Sequence, residues 1–171
     1  MAITRIGPNQ SINLASNITG TLPTGNGGTG ATSFAPGKVL QSITATTTSE
    51  TSTSSTSFVA TNLTLNITPS ATSSKIYVIA TSSIDNNSTS GDQADVTIYR
   101  DSTNLGGTGG IVNTFGSDTR ILVPCTVCVL DSPSSTSQIA YTVRIRSRSG
   151  AAMALNSQSE KGQIIAMEIA G

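Results

Sequence analysis

The chain has no histidine and no tryptophan, two cysteines, three tyrosines and three phenylalanines, and nine basic side chains against nine acidic ones in 171 residues. Each shortage removes a class of function. Without histidine the commonest acid–base and metal-ligating side chain is gone. A formal charge of zero leaves no surplus of Lys and Arg to follow a phosphate backbone, so no nucleic-acid partner is expected. No run of about 18 apolar residues occurs, which argues against membrane insertion. The opening stretch MAITRIGPNQSINLASN carries no apolar run of leader length, so the expectation is a soluble chain made in a reducing cytoplasm. Sequons such as Asn17-Ile18-Thr19 and Asn62-Leu63-Thr64 are then chance products of a Ser/Thr-rich chain.

What the chain does have is Ser and Thr at nearly a third of its residues, with Val, Ile and Leu supplying most of the apolar content. Branched side chains pack well on a pleated surface, and hydroxyls compete with helical hydrogen bonds, so the mixture favours strands and turns. The length fits one domain of ordinary size with an appended segment. Cys125 and Cys128 are three apart in ILVPCTVCVLD, so on a regular strand they face opposite sides and cannot share a disulfide or a metal. Both are read as small core hydrophobes.

Two regions differ in pattern. Residues 1–36 carry short apolar pulses (Ile3, Ile6, Ile12, Leu14, Ile18, Leu22) between Gly, Pro and Asn, too few to close a core alone. They are read as an N-terminal attachment or oligomerisation segment. Residues 37–171 are read as a β-rich head. SFVATNLTLNITP alternates, with Val59, Leu63, Leu65 and Ile67 on one side, and QIAYTVRIRSR alternates with Ile139, Tyr141, Val143 and Ile145 inward. KVLQSITAT, SKIYVIATSSI, ADVTIYRD, TRILVPCTVCVLD, AAMALNS and GQIIAMEIA bring the total to about eight strands. No stretch offers a ten-residue amphipathic helix for a parallel crossover. The fold class is therefore all-β: an antiparallel β-sandwich, jelly-roll-like, with an extended N-terminal anchoring segment. TRILVPCTVCVLD is apolar on both faces, which fits a central strand or one covered by a partner chain, and Pro124 requires a bulge or an edge there.

GNGGTGATSF has the spacing of a dinucleotide fingerprint at Gly25, Gly27 and Gly30, but Pro36-Gly37 leaves no helix to receive a phosphate. Neither GNGGTG nor GGTGG at 106–110 is followed by Gly-Lys-Ser/Thr. Gly25, Gly27, Gly28 and Gly30 are read instead as a mechanical linker, whose small residues let several chains approach a common axis.

The stretch NITGTLPTGNGGTGATSF, residues 17–34, resembles a segment of tailed-phage tail-fibre and related virion appendage proteins, in which Gly-Thr-Leu-Pro leads to Gly-Gly-Thr-Gly-Ala. SFVATNLTLNITPSATSSKIYVIATSSI, VTIYRDSTNLG, LDSPSSTSQIAYTVRIRS and the terminal IIAMEIAG are similar to the β-rich C-terminal domain that follows it in marine and cyanobacterial phage proteins. The resemblance implies a non-enzymatic structural virion protein, assembled in the host cytoplasm and homotrimeric. Its N-terminal segment would attach to other virion proteins of tail or capsid, and its head would be exposed for host-surface contact. The chain lacks the repetitive shaft of a long fibre, which leaves a short tail fibre or fibre tip, a head fibre or a capsid decoration protein open. A stand-alone carbohydrate-binding module is a further alternative, weakened by the scarcity of rings for a sugar to stack on.

No catalytic, cofactor or metal site is expected. The carboxylates fall mostly in loops or at strand ends, where a solvated turn acid is the ordinary reading, and the spacing of Asp92, Asp95 and Asp101 is not that of a calcium loop. No Ser or Thr has a visible base, and Gly-x-Ser-x-Gly is absent. Leu122 and Leu130 on the doubly apolar strand are the candidate oligomer contacts. The candidate recognition surface is Tyr99 with the row Arg144, Arg146 and Arg148, whose like charges would fan into solvent, pair with acids on adjacent strands such as Asp95 or Asp101, bridge to a neighbouring subunit, or meet an anionic ligand at a host surface, with a surface glycan as the candidate partner.

Overall fold

A computed structural model describes residues 39–86, 91–116 and 120–171. Among them there is no helix, and the strands run β1 (Val39–Thr47), β2 (Thr51–Thr53), β3 (Val59–Ile67), β4 (Lys75–Asn86), β5 (Gln93–Arg100), β6 (Thr103–Asn104), β7 (Val112–Phe115), β8 (Ile121–Asp131), β9 (Ile139–Ser147), β10 (Met153–Leu155) and β11 (Gly162–Ile169). Every pairing is antiparallel.

The first sheet runs β8-β4-β11-β1, with β10 continuing the lane of β11 along β4 and β2 lying beside β10. The second runs β3-β9-β5, and β7 and β6 share the lane beyond β5. Taking the lanes in chain order, the sheets read first-eighth-third-sixth and second-seventh-fourth-fifth. That wiring is two interlocked Greek keys, a jelly roll, and it makes the expected fold class correct.

Alternation decides which side chains fill the space between the sheets. Leu63, Leu65 and Ile67 of β3 and Tyr141, Val143 and Ile145 of β9 point inward from one sheet; Ile76 and Val78 of β4, Val127 of β8 and Ile164 of β11 answer from the other. Each such side chain contributes about 1.5–3 kcal/mol on burial. In β3 the register slips between Ala60 and Thr64, and the buried Thr61 hydroxyl donates to the Val143 carbonyl (2.8 Å) and accepts from the Leu63 amide (3.1 Å). The Thr61 side chain thus satisfies ladder groups that the bulge leaves free.

Three expectations need correction. β8 is not a central strand: among the described residues it pairs only with β4, in unbroken register from Ile76↔Asp131 to Asn86↔Ile121, and lies at the sheet edge. Pro124 is accommodated there without a bulge because an edge strand has a side on which no amide is required. Cys125 is buried, but Cys128 is exposed on the outward side of the same strand, so it is not a core residue. The acids are not all solvated turn residues either, since Asp85, Asp95, Asp131 and Glu168 are buried.

Candidate interaction surfaces

Of the residues singled out from sequence, Gly25, Gly27, Gly28 and Gly30 and the whole attachment segment lie outside the described residues. The others fall on the two outer faces of the sandwich. Tyr99, Arg144, Arg146 and Arg148 gather on the second sheet; Leu122 and Leu130 stand outward on β8 of the first.

On the second sheet, alternation along β9 sends Arg144 and Arg146 out, and the pairing Asp95↔Arg146 sets the β5 carboxylate across from them. Asp95 accepts from Arg146 Nε (2.9 Å), Arg148 Nε (2.7 Å) and Asn113 Nδ2 (2.7 Å). Burial pushes this carboxyl up, but the bonds from Arg148, Asn113 and Arg146 outweigh it and hold the group below the usual aspartate range. Arg144 has no carboxylate partner among the described residues. Its guanidinium lies 4.1 Å from the centre of the Tyr99 ring and donates to the Asp101 carbonyl, while Arg146 stacks 4.6 Å over Phe58. Phe58 and Tyr99 meet edge to face at 5.9 Å. These stacks offset the repulsion along the arginine row, because each guanidinium is attracted to the negative face of a ring.

The loop between β6 and β7 folds over β5 on this face. Leu105 and Ile111 donate amides to the Ile98 and Val96 carbonyls (3.0 and 2.8 Å), and Arg146 Nη2 reaches the Thr108 carbonyl (2.6 Å). Thr97, an outward residue, becomes fully buried and donates to Asn104 Oδ1 (2.7 Å). So close an approach needs Gly106, where a Cβ would fall 2.5 Å from Thr97 Oγ1, and Gly110, whose φ of +74° also brings its backbone under the Val96 carbonyl. The GGTGG stretch is therefore a clasp. Sequence periodicity could not reveal this cover, since loops have none.

Among the described residues the outer face of the first sheet has no such clasp. Register places Leu130, Tyr77 and Met167 in one cross-strand row and Cys128, Ile79 and Ile165 in the next, with Ser42 and Thr44 of β1 completing the two rows. The following row is Thr126, Thr81, Gln163 and Thr46. No charged residue occurs in the three rows. Leu130 is 53% exposed and Leu122 39%. Beyond them lies a shallow hollow of about 380 Å³ lined by Thr81, Ser83, Leu122, Pro124, Glu160 and Lys161.

The remaining buried acids are committed internally. Asp85 accepts from Arg120 Nε at 3.0 Å to both oxygens and is held below its ordinary range chiefly by that arginine. Asp131 accepts from Arg100 and from the Tyr141 hydroxyl. Glu168 accepts from the Ser70 amide (2.7 Å), the Ser70 hydroxyl (2.6 Å) and Gln41 Nε2 (2.6 Å); burial raises it, yet these donors prevail and bring it to about 2. Among the described residues no three Cys, Asp or Glu side chains converge as metal ligands, and no helix is long and apolar enough to cross a membrane.

No family model and no curated protein matches the chain. Solved structures overlap it loosely. The VP2 subviral particle of infectious bursal disease virus aligns at 14% identity and a TM-score of 0.37 over 78% of this chain and 38% of that one. The T=1 particles derived from the same virus align at 15% identity and a TM-score of 0.37, over 78% and 37%. This chain thus spans less than two-fifths of the length of the proteins it overlaps, and its function has to be argued from its own residues.

Proposed function

We propose that the chain is a non-enzymatic structural protein of a virus particle: a short tail fibre or fibre tip of a tailed bacteriophage. Residues 1–36 anchor it to tail or capsid proteins, three copies associate, and the jelly-roll head is presented outward. The observation that carries the reading is an antiparallel jelly roll in which each buried carboxylate is bound to an arginine, a tyrosine or neighbouring amide and hydroxyl donors. Carboxylates so engaged hold strands together, and both oxygens of each are bound by donors of the same chain. The resemblance of residues 17–34 to virion appendage linkers supplies the tail assignment. Host contact, in this reading, falls to Arg144 on Tyr99, the arginine of its row that has no carboxylate partner among the described residues.

Electron cryo-microscopy of purified particles tests this. The expected density is a small β-sandwich with threefold symmetry at the tail. Density spread over the capsid lattice would transfer the chain to a decoration role, and particles free of the chain would overturn the reading. Deleting residues 1–36 is expected to abolish incorporation while the remaining head stays folded by circular dichroism; loss of the fold would overturn the division into anchor and head.

A further inference from the structure

Antiparallel sandwiches ordinarily turn polar side chains to water on their outer faces. The second sheet does so with arginines, and its own loop covers Thr97 beside them. The first sheet instead exposes Leu130 and Cys128 beside half-buried Tyr77, Ile79, Ile165 and Met167, with no charge among them. We propose that this face, centred on Ile79, Cys128 and Ile165, is where other copies of the same chain pack.

A second copy is the occupant the chemistry fits. An apolar centre free of charge with a hydroxyl row at its border has the composition of an interface core and rim. It also presents identical copies with no like charges to oppose, whatever symmetry axis relates them. The three uncharged rows, at about 6.8 Å each across four lanes of about 4.8 Å, cover roughly 400 Å², and the full 11-residue length of β8 extends the outer face to roughly 700 Å², near the ~800 Å² per partner of a stable interface. Contact must be through the face and not by strand addition along β8, because Pro124 in mid-strand lacks the amide a neighbouring strand would need.

This deepens the self-association part of the proposed function and is separable from it. Cys128 sits within the face as a reporter, and Cys125 is buried and silent. For the full-length chain at micromolar concentration, we expect a mass above one copy by analytical ultracentrifugation. We also expect alkylation of Cys128 at least about tenfold slower than in a dissociated variant, because a thiol under a partner reacts only when the interface opens. Leu130→Glu and Ile165→Glu are expected to yield folded single copies with Cys128 reacting freely. Leu130→Ser, milder at a side chain already 53% exposed, repeats the test if the charged variants unfold. Association with Cys128 freely reactive, in the wild type or in these variants, overturns the face assignment but leaves self-association standing, whereas a variant that stays associated with Cys128 protected upholds the face. A single-copy wild type overturns both.

Discussion

The hydroxyl of Tyr141 lies 2.6 Å from Oδ2 of Asp131, joining β9 of one sheet to the end of β8 in the other. Arg100 of β5 closes the group from above with Nη1 at 2.8 and 3.0 Å from the two Asp131 oxygens. Tyr141 is among the largest side chains with no exposure. Removing its hydroxyl leaves Asp131 with Arg100 still bound, so Tyr141→Phe is expected to cost about 1–2 kcal/mol in urea unfolding. Asp131→Ala is expected to cost more, since it strands both a buried phenol and a guanidinium. Burial, then the bond to Asp131, raises the Tyr141 pKa above its ordinary value. The sign follows: its contribution is complete below about pH 10 and is lost at higher pH, where the unfolded chain ionises first. Wild-type stability should therefore fall more steeply above about pH 10 than that of Tyr141→Phe.

Glu168 sets the acid limit. Its carboxylate, held at about 2 by Ser70 and Gln41 against a burial penalty, sits below the unfolded-state value of about 4.3. Its stabilisation is present above that value and declines as pH falls toward 2. Comparing denaturant midpoints of the wild type and Glu168→Gln from pH 6 to pH 2 should show the gap closing on the acid side. A constant gap would assign Glu168 no role in acid stability.

Asp95 is the only carboxylate bound to Arg146 and Arg148 among the described residues. Asp95→Asn is expected to destabilise by about 2–3 kcal/mol. This is less than the ~3–5 kcal/mol of a fully buried pair, because Arg148 is 41% exposed and water can reclaim it. Arg144→Gln should change stability less, since it breaks a stack on Tyr99 and no ion pair. Thermal unfolding of the two variants side by side gives the order.

The glycine clasp makes a local prediction. Gly106→Ala forces a methyl to within 2.6 Å of Ile111 Cγ1 and 2.8 Å of the Gly110 backbone, so the loop must lift, at about 1–3 kcal/mol. Gly107→Ala meets nothing within 4 Å and pays only for its φ of +74°, about 1 kcal/mol. Hydrogen exchange at the Leu105 and Ile111 amides should accelerate in the first variant far more than in the second.

The alternation in β3 and β9 was legible because each has one polar face, and period two then assigns inward and outward without further information; β11 is apolar on both sides, and its one acid, Glu168, points inward. β7 was not: Val112–Phe115 is too short to show a period, and it is a strand because β5 offers a ladder from Gln93↔Phe115 to Val96↔Val112. For β8 the pattern failed in a different way. With apolar residues on both sides, sequence could not say which side was core, and a proline in mid-strand fits a bulge as well as an edge.

Composition and period by themselves determined an all-β sandwich, put three arginines on one side of a strand and placed the two cysteines on opposite sides of another, because these are consequences of pleating within a few residues. Tertiary structure alone decided that Asp95 receives two of those arginines, that a loop from residue 104 onward covers Thr97 on that face, and that the opposite face has no such cover among the described residues. Such outcomes depend on which distant strands lie side by side, and a pairing across 50 residues leaves no periodic trace in the chain.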